Sequence, residues 1–280
     1  MVTSCPHSIY FFRGDVEHFN LDDAVNTFTD WHIVPMGRPV VTPPKQKLQT
    51  IDIPGMNGVL DLSNSLTMYP VFENRTGSFK FAVLHDYIDT PTIYTKILRF
   101  LQGVNVKMIL EDDIEYFYEG RVFIENIDAK SDGTWTELDL GYDLYPYRKS
   151  VYSSIDEWLW DPFNFETDVI KTTSFNAVEV TSSVYDDANT HDFTGLIDCM
   201  PVYPEFIVDT VDNQPMYAQL YNTDLNMNWE EFRLPEGTNN IYTNPDLYRC
   251  VFCEMTPESI VKMRFKNPGV VTIKFRSGRL

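Results

Sequence analysis

The sequence has few cysteines and no long apolar run. Its 280 residues include four cysteines, Cys5, Cys199, Cys250 and Cys253, which are too few for the disulfide framework of a small secreted protein. A membrane-spanning helix needs about 18 or more consecutive apolar residues, and neither such a stretch nor a secretory leader is found. The sequence therefore predicts a protein made in a cytoplasm, with no membrane partner.

Positive charge is also scarce. The chain has 22 basic and 41 acidic residues, which gives a net charge of −19. Sequence-independent binding to nucleic acid depends on Lys and Arg that neutralise phosphates, so DNA is not a predicted ligand. The acidic balance favours solubility, and it would keep DNA from adhering if the protein lined a conduit for it.

The usual signatures of catalysis are missing. No Gly-x-Ser-x-Gly elbow occurs, and the histidines lack the spacing that brings two onto one metal. Cys250 and Cys253 have C-x-x-C spacing without a second pair, which favours two buried side chains over a zinc or redox site. We predict a protein that is not an enzyme, with no catalytic, cofactor-binding or metal-binding residues. The histidines are His7, His18, His32, His85 and His191.

The densest group of carboxylates lies between residues 111 and 119. It lacks the alternating ligands and the glycine of a calcium loop, so it predicts a solvated hairpin tip. A hydrolase with an acidic pair would need two carboxylates about 5 to 10 Å apart in a cleft, and this hypothesis stays open at the level of sequence. The carboxylates are Glu111, Asp112, Asp113, Glu115 and Glu119.

The residues that are abundant favour β-structure. Aromatic residues make up 14% of the chain, and the alternating runs are rich in Val, Ile, Tyr, Phe and Thr, which suit a pleated, half-buried surface. One segment, 91–103, instead has an apolar helical face of Ile93, Ile97, Leu98 and Leu101. Thr90 fits its N-cap and Gly103 its end. The sequence predicts an all-β protein with one short helix.

We predict two domains, residues 1–150 and 151–280. The first has strands at 31–34 and 79–83 and an antiparallel meander, with turns at 111–113 and 131–133. The second has short strands at irregular spacing, which is typical of a β-sandwich. The meander strands are 104–110, 116–127 and 134–140, and those of the second domain are 174–184, 205–209, 216–221, 229–234, 248–255 and 270–276.

The most informative segment is residues 51–81. Ile51 and Ile53 alternate with a polar residue, Pro54-Gly55 predicts a tight reversal, and an extended run resumes at Val59. The pattern predicts a half-buried strand, a turn and a second strand. Its glycines precede no helix, so the segment is not a phosphate-binding loop. Its role is predicted to be architectural.

This segment belongs to an ordered series of short motifs over about 100 residues. The motifs are Pro43-Pro44-Lys45, Ile53-Pro54-Gly55, Gly58-Val59-Leu60-Asp61-Leu62, Glu73-Asn74-Arg75, Leu101-Gln102-Gly103, Tyr116-Phe117-Tyr118-Glu119-Gly120-Arg121 and Tyr145-Pro146-Tyr147. In this order they resemble the N-terminal domain of the distal tail protein (Dit) family of long-tailed, non-contractile bacteriophages. Residues 200–206 and 267–280 resemble the entry and the closing strand of that family's C-terminal domain. The chain departs from the pattern at Met56-Asn57 and in the acidic, aromatic stretch 156–168.

The resemblance implies a virion structural protein at the distal tip of a phage tail. It implies a homo-hexameric ring built by the N-terminal domain, a β-sandwich or barrel-like fold, with a galectin-like β-sandwich as the second domain. The ring would join the tail tube protein to the tail-tip hub, with the tape measure protein and receptor-binding proteins as further neighbours. DNA would pass through without specific binding.

A second hypothesis comes from the aromatic residues of the second domain. Trp158, Trp160 and Trp229, with several tyrosines, would form a platform for stacking sugars. The alternative function is therefore a carbohydrate-binding module that contacts host cell-wall glycans.

Overall fold

The computed structural model describes residues 5–84, 90–129, 136–156, 174–197 and 199–280. Within these ranges the chain is mostly β, with a single α-helix, which confirms the predicted fold class. It divides into two units, Met1–Val151 with Leu280 and Tyr152–Arg279.

The first unit is built on one curled, half-barrel sheet with the strand order β2-β1-β7-β8-β9-β6-β3. Neighbouring strands in this order pair antiparallel, and β10 pairs with β8 beside this path. A separate two-stranded hairpin, β4 and β5, lies outside the sheet. The strands are β1 (Ile9–Arg13), β2 (Val25–Asn26), β3 (Ile33–Pro35), β4 (Thr50–Ile51), β5 (Leu60–Asp61), β6 (Arg75–Val83), β7 (Val106–Leu110), β8 (Asp113–Ala129), β9 (Thr136–Leu144) and β10 (Arg148–Ser150).

The helix covers one face of this sheet. α1 (Thr90–Leu101) buries Ile93, Ile97 and Leu101, which belong to the face that the sequence predicted, in the same core cluster as strand residues of the sheet. Removing each such side chain from water stabilises the fold by about 1.5 to 3 kcal/mol. Gly103, with a φ of +74°, follows the last turn, as expected for a helix C-terminus.

The predicted meander is present: β8 and β9 are longer than predicted, and β7 is shorter. β8 runs for 17 residues and pairs with β7 on one side and β9 on the other. The turn at 131–133 lies outside the described residues. The strand predicted at 31–34 is wrong by two residues: it begins at Ile33, because His32 takes a φ of +55° that an extended strand does not allow.

The second unit contains two four-stranded sheets, with the orders β11-β18-β13-β16 and β12-β17-β14-β15. In β14 and β17 every second residue is buried, so one face of that sheet belongs to the core. Two such sheets are the arrangement expected of a β-sandwich, and a galectin-like form stays a prediction. The strands are β11 (Val178–Val180), β12 (Thr190–Asp192), β13 (Glu205–Thr210), β14 (Met216–Asn222), β15 (Met227–Leu234), β16 (Gly237–Asn239), β17 (Val261–Lys266), β18 (Gly269–Lys274) and β19 (Gly278–Arg279).

Two predicted strands of this unit are wrong in extent or kind. The strand at 174–184 shrinks to β11. At 248–255 the chain instead leaves a 3-10 helix, Pro245–Arg249, and makes one isolated bridge at Phe252. Asn244 caps the helix by accepting a hydrogen bond from the backbone of Asp246, and Pro245 starts it. Asn244-Pro245 is the sequence signal for the start of this helix, but the apolar residues that follow it favour a strand.

Gly120 is required by the close approach of β8 and β9. A Cβ at this position would lie 2.3 Å from the carbonyl oxygen of Asp143, a backbone atom that cannot move aside. We expect Gly120→Ala to lower the free energy of unfolding by about 2 to 3 kcal/mol. Gly37→Ala is the control, since a Cβ there meets open space. Urea denaturation of both variants tests this, and equal midpoints would contradict it.

His191 in β12 makes folding sensitive to mild acid. Its Nε2 is buried without a hydrogen-bond partner among the described residues, and burial lowers its pKa. The unfolded chain, with a histidine pKa of about 6.5, therefore takes up a proton before the folded chain does. Above that pH the neutral imidazole leaves the free energy of unfolding unreduced. The free energy of unfolding falls as the pH drops toward the folded-state pKa, by at most about 1.4 kcal/mol per pH unit. In urea titrations across this window, we expect His191→Gln to lose less stability than wild type, and parallel curves would exclude the effect.

Candidate functional site

The segment singled out in the sequence forms a projecting hairpin, here called the arm (residues 42–74). Its two sides pair from Lys45 and Glu73, whose backbone atoms bond at 2.7 Å, out to β4 and β5. Met56 N donates to the carbonyl oxygen of Ile53 at 3.0 Å, and Gly55 has a φ of +88°. This is the type II geometry that Pro54-Gly55 predicts. The strand, turn and strand are confirmed.

The burial prediction for this hairpin is wrong. The apolar side chains are exposed, including Leu48 at 67% and Leu66 at 96%. The alternation in the sequence is therefore not the mark of a face packed on the core of this chain. An isolated two-stranded hairpin with apolar side chains in water is marginally stable, so these residues are suited to contact another molecule. The exposed residues are Leu48, Ile51, Ile53, Met56, Val59, Leu60, Leu66 and Met68.

The base of the arm is held by the buried side chain of Arg75, the first residue of β6. Arg75 is only 4% exposed. Its Nε donates to the carbonyl oxygen of Pro146 at 2.7 Å, and its Nη1 donates to that of Thr42 at 3.0 Å. The guanidinium also lies 5.6 Å from the ring centre of Tyr118. One side chain thus connects the start of the arm, its end and the end of the meander.

Tyr142 forms a second connection to the arm. Its hydroxyl accepts a hydrogen bond from Thr42 N at 3.0 Å, and the Thr42 hydroxyl donates to the carbonyl oxygen of Thr76 at 2.8 Å. A Cβ at Gly77 would lie 2.5 Å from the Tyr142 hydroxyl. The glycine opposite Tyr142 in the sheet therefore leaves the space through which the ring reaches the arm.

These contacts explain why short motifs far apart in the sequence occur together. The arm, Arg75, the strand with Tyr118 and Gly120, and the Tyr145-Pro146-Tyr147 segment meet at one place. Phe72 and Tyr147 add an edge-to-face ring contact at 5.9 Å. Sequence reasoning missed Thr42 and Tyr142, because a hydroxyl that satisfies a distant backbone group leaves no local pattern.

The carboxylates at 111–119 differ from the predicted solvated tip. The turn is where the sequence puts it, and four of the five carboxylates are bound by neighbouring donors. The contacts are Ser8 N to Glu111 (2.8 Å), Arg38 Nε to Asp112 (2.9 Å), Arg148 Nη1 to Asp113 (2.5 Å) and Lys149 Nζ to Glu119 (2.8 Å).

The cysteine pair is buried, as predicted. Cys250 caps the 3-10 helix, and both Cys250 and Cys253 are free thiols within the core. Burial raises the pKa of both thiols, to about 12 for Cys253, so neither supplies a thiolate near neutral pH. In the part of the chain that the structure describes, no three His, Cys, Asp or Glu side chains gather in a metal-binding arrangement.

The proposed sugar platform is only partly visible. Trp158 and Trp160, like His85, lie outside the described residues. Trp229 lies in β15, and the guanidinium of Arg264 lies 4.0 Å from its ring centre.

No helix within the described residues is long and apolar enough to cross a membrane.

Replacing Arg75 tests whether it holds the arm. We expect Arg75→Lys to lower the free energy of unfolding by about 2 to 3 kcal/mol, because an ammonium cannot reproduce two fixed, charge-assisted hydrogen bonds to separate carbonyls. Limited proteolysis should cut the arm of this variant faster than that of wild type. Arg121→Lys, at an exposed position of β8, is the control and should match wild type. Unchanged stability and cleavage in Arg75→Lys would contradict the assignment.

Two of the structural neighbours that comparison with known proteins finds are from phages. No protein-family model and no curated protein matches the sequence. One neighbour is the Dit protein of phage SPP1, described as a paradigm of the hub adsorption apparatus in phages that infect Gram-positive hosts. It is 12% identical, the match covers 98% of this chain and 99% of that chain, and the TM-score is 0.49.

The other neighbour is from the phage P2 baseplate in its activated conformation with Ca. It is 10% identical, the match covers 96% of this chain and 98% of that chain, and the TM-score is 0.41. Both neighbours come from phage structures concerned with a hub or a baseplate, and one carries the family name that the motifs resemble. At these identities and scores, neither transfers a function to this chain.

Proposed function

We propose that this chain is a non-catalytic structural protein of a phage tail tip, in which six copies form a ring. The ring joins the tail tube to the host-attachment apparatus. The observation that carries the proposal is the arm: a braced hairpin that exposes apolar side chains and belongs to the motif series resembling the distal tail family.

The exposed residues favour contact with another copy of the chain. Ile51 and Leu60 are direct neighbours across β4 and β5, and both are exposed. No other strand of the described ranges pairs with this hairpin. Its free edges offer backbone donors and acceptors to a neighbour, and its side chains offer apolar area.

The asymmetry of the arm favours a closed ring. A projecting hairpin contacts a different surface on the next copy, which is a heterologous contact, and such contacts generate rings when the rotation closes. Arg75 fixes the direction in which the arm leaves the sheet, since it bonds both flanking segments. The number six comes from the sequence resemblance and not from this geometry.

The net charge of −19 fits the expected passage of DNA. A ring around the exit path of a genome gains from carboxylates on its inner wall, because these repel phosphates. The proposed neighbours are the tail tube protein and the tail-tip hub, with the tape measure and receptor-binding proteins beyond them. The proposed location is the virion, at the distal end of the tail.

The carbohydrate-binding alternative has less support. Stacking a sugar needs an open aromatic face, and Arg264 lies over the ring of Trp229, the one tryptophan of the proposed platform within the described ranges. Calorimetry with cell-wall glycans separates the two functions, since a sugar-binding module must produce heat of binding and a purely structural ring subunit need not.

Light scattering after size exclusion tests the ring. We expect a molar mass of six times 32.6 kDa. Ile51→Lys combined with Leu60→Lys should shift the protein to smaller species, because two exposed apolar contacts become charged without affecting the core. Val211→Lys, at an equally exposed apolar position in the second unit, is the control and should keep the mass of wild type. A wild-type monomer at high concentration would overturn the proposal.

A further inference from the structure

The outer face of the sheet β12-β17-β14-β15 carries an unusual group of cations for so acidic a chain. In β17 the residues Lys262, Arg264 and Lys266 alternate with buried neighbours, so all three point away from the core. Tyrosines occupy two outward positions of the adjacent strand β14. We call this group of side chains the aromatic–arginine face: Tyr185, Tyr217, Tyr221, Trp229, Arg264 and Lys266.

The three cations are not equivalent. Lys262 Nζ pairs with Asp192 at 3.4 Å, and Lys266 Nζ pairs with Glu231 at 3.0 Å. Arg264 has no carboxylate partner among the described residues, and its Nε donates to the neutral amide oxygen of Gln219 at 2.8 Å. The face therefore presents one uncompensated positive charge between two neutralised pairs.

Arg264 is held in a fixed orientation. Its guanidinium carbon lies 4.0 Å from the ring centre of Trp229 and 5.2 Å from that of Tyr185. The Tyr185 hydroxyl donates to Glu231 at 2.7 Å, which fixes the ring. Because the Nε is already used, the two remaining nitrogens are left as donors. A guanidinium whose rotamer is set in advance loses less entropy when it binds a carboxylate.

The backbone beneath Trp229 is adapted to this arrangement. Met227 and Phe232 are both buried although they lie five residues apart, which a regular strand does not allow. The register of β15 against β14 shifts between Leu220 and Asn222, and Trp229 has a φ of +57°. A bulky residue in the left-handed region is strained. The bulge keeps the core register and still places the indole beside Arg264.

These features select the chemistry of the partner. The pairs Lys262–Asp192 and Lys266–Glu231 are neutral overall, so the face offers one positive charge to a single carboxylate and no row of positive charges to a polyanion such as an acidic glycan. The ring faces are occupied by cations, since Lys266 Nζ lies 4.7 Å from the centre of Tyr185 and 4.6 Å from that of Tyr217. Trp, Tyr and Arg together are the residues enriched at protein–protein hot spots.

We propose that the aromatic–arginine face is a docking surface for a protein partner, and that Arg264 binds one carboxylate of an Asp or Glu side chain on that partner. The two remaining guanidinium nitrogens donate to a single carboxylate, and the edges of the surrounding rings pack against apolar atoms beside that carboxylate. This surface is in the second unit and does not use the arm. It therefore supplies an attachment point separate from the contacts proposed for the ring.

The test uses the full chain and two synthetic peptides, acetyl-Ser-Gly-Tyr-Asp-Tyr-Gly-Ser-amide and its counterpart with Asn in place of Asp. Calorimetry should show the Asp peptide binding about 10-fold more tightly than the Asn peptide, the factor expected for a charge-assisted hydrogen bond. Arg264→Gln should abolish the preference, and Arg264→Lys should reduce it. Lys262→Gln, at a neighbouring cation that is already paired, is the matched control and should keep it.

Each other result overturns the proposal. Equal affinity for the two peptides at millimolar concentration excludes a carboxylate site. Tighter, Arg264-dependent binding of polygalacturonate than of the Asp peptide assigns the face to glycans instead. The thermal midpoint of Arg264→Gln must match wild type for the peptide result to count, and Arg264→Ala provides a second variant if it does not. If Arg264→Gln has a smaller molar mass than wild type in light scattering, the face is a contact between copies of the chain. If wild type itself does not have the six-fold mass, only the ring proposal is overturned.

Discussion

The buried guanidinium of Arg75 is the interaction on which the first unit depends. A cation removed from water is costly unless its donors are satisfied. Here two backbone carbonyls from separate segments accept hydrogen bonds from Nε and Nη1, while Nη2 is buried without a partner among the described residues. Thr42 and Pro146 are over 100 residues apart in the sequence, so these two hydrogen bonds join parts of the unit that no local turn connects. The sheet supplies the platform, and the arginine determines where the arm starts.

Much of the first unit is predictable from sequence, and the reasons are local. The helix has an apolar face every three to four residues, the meander alternates cleanly, and Pro54-Gly55 specifies its turn. The failures have a common cause. Alternating apolar residues indicate that one side of a strand avoids water, but they do not indicate what covers that side. For this reason the sequence predicts an arm that is half-buried within its own chain. In the second unit, Asn244-Pro245 starts a 3-10 helix where the apolar run that follows predicts a strand.

The candidate sites differ in the same way. The motif series identified Arg75 and Tyr118 without revealing Thr42 or Tyr142, which act through single hydrogen bonds to distant backbone. The aromatic–arginine face left almost no signal, because its residues come from three strands and one loop and are brought together by a bulge at Trp229. Positive φ at a tryptophan is a property of the fold that composition cannot indicate.

The exposed hairpin also has a consequence for how the protein is produced. Eight apolar side chains remain in water on a free subunit, while the rest of each unit has its own buried core. Folding and assembly are thus separate events, and the subunit concentration sets the balance between ordered association and aggregation. Aggregation is least when the chain is synthesised alongside the molecule that covers the hairpin, so the timing of synthesis affects whether the subunit aggregates.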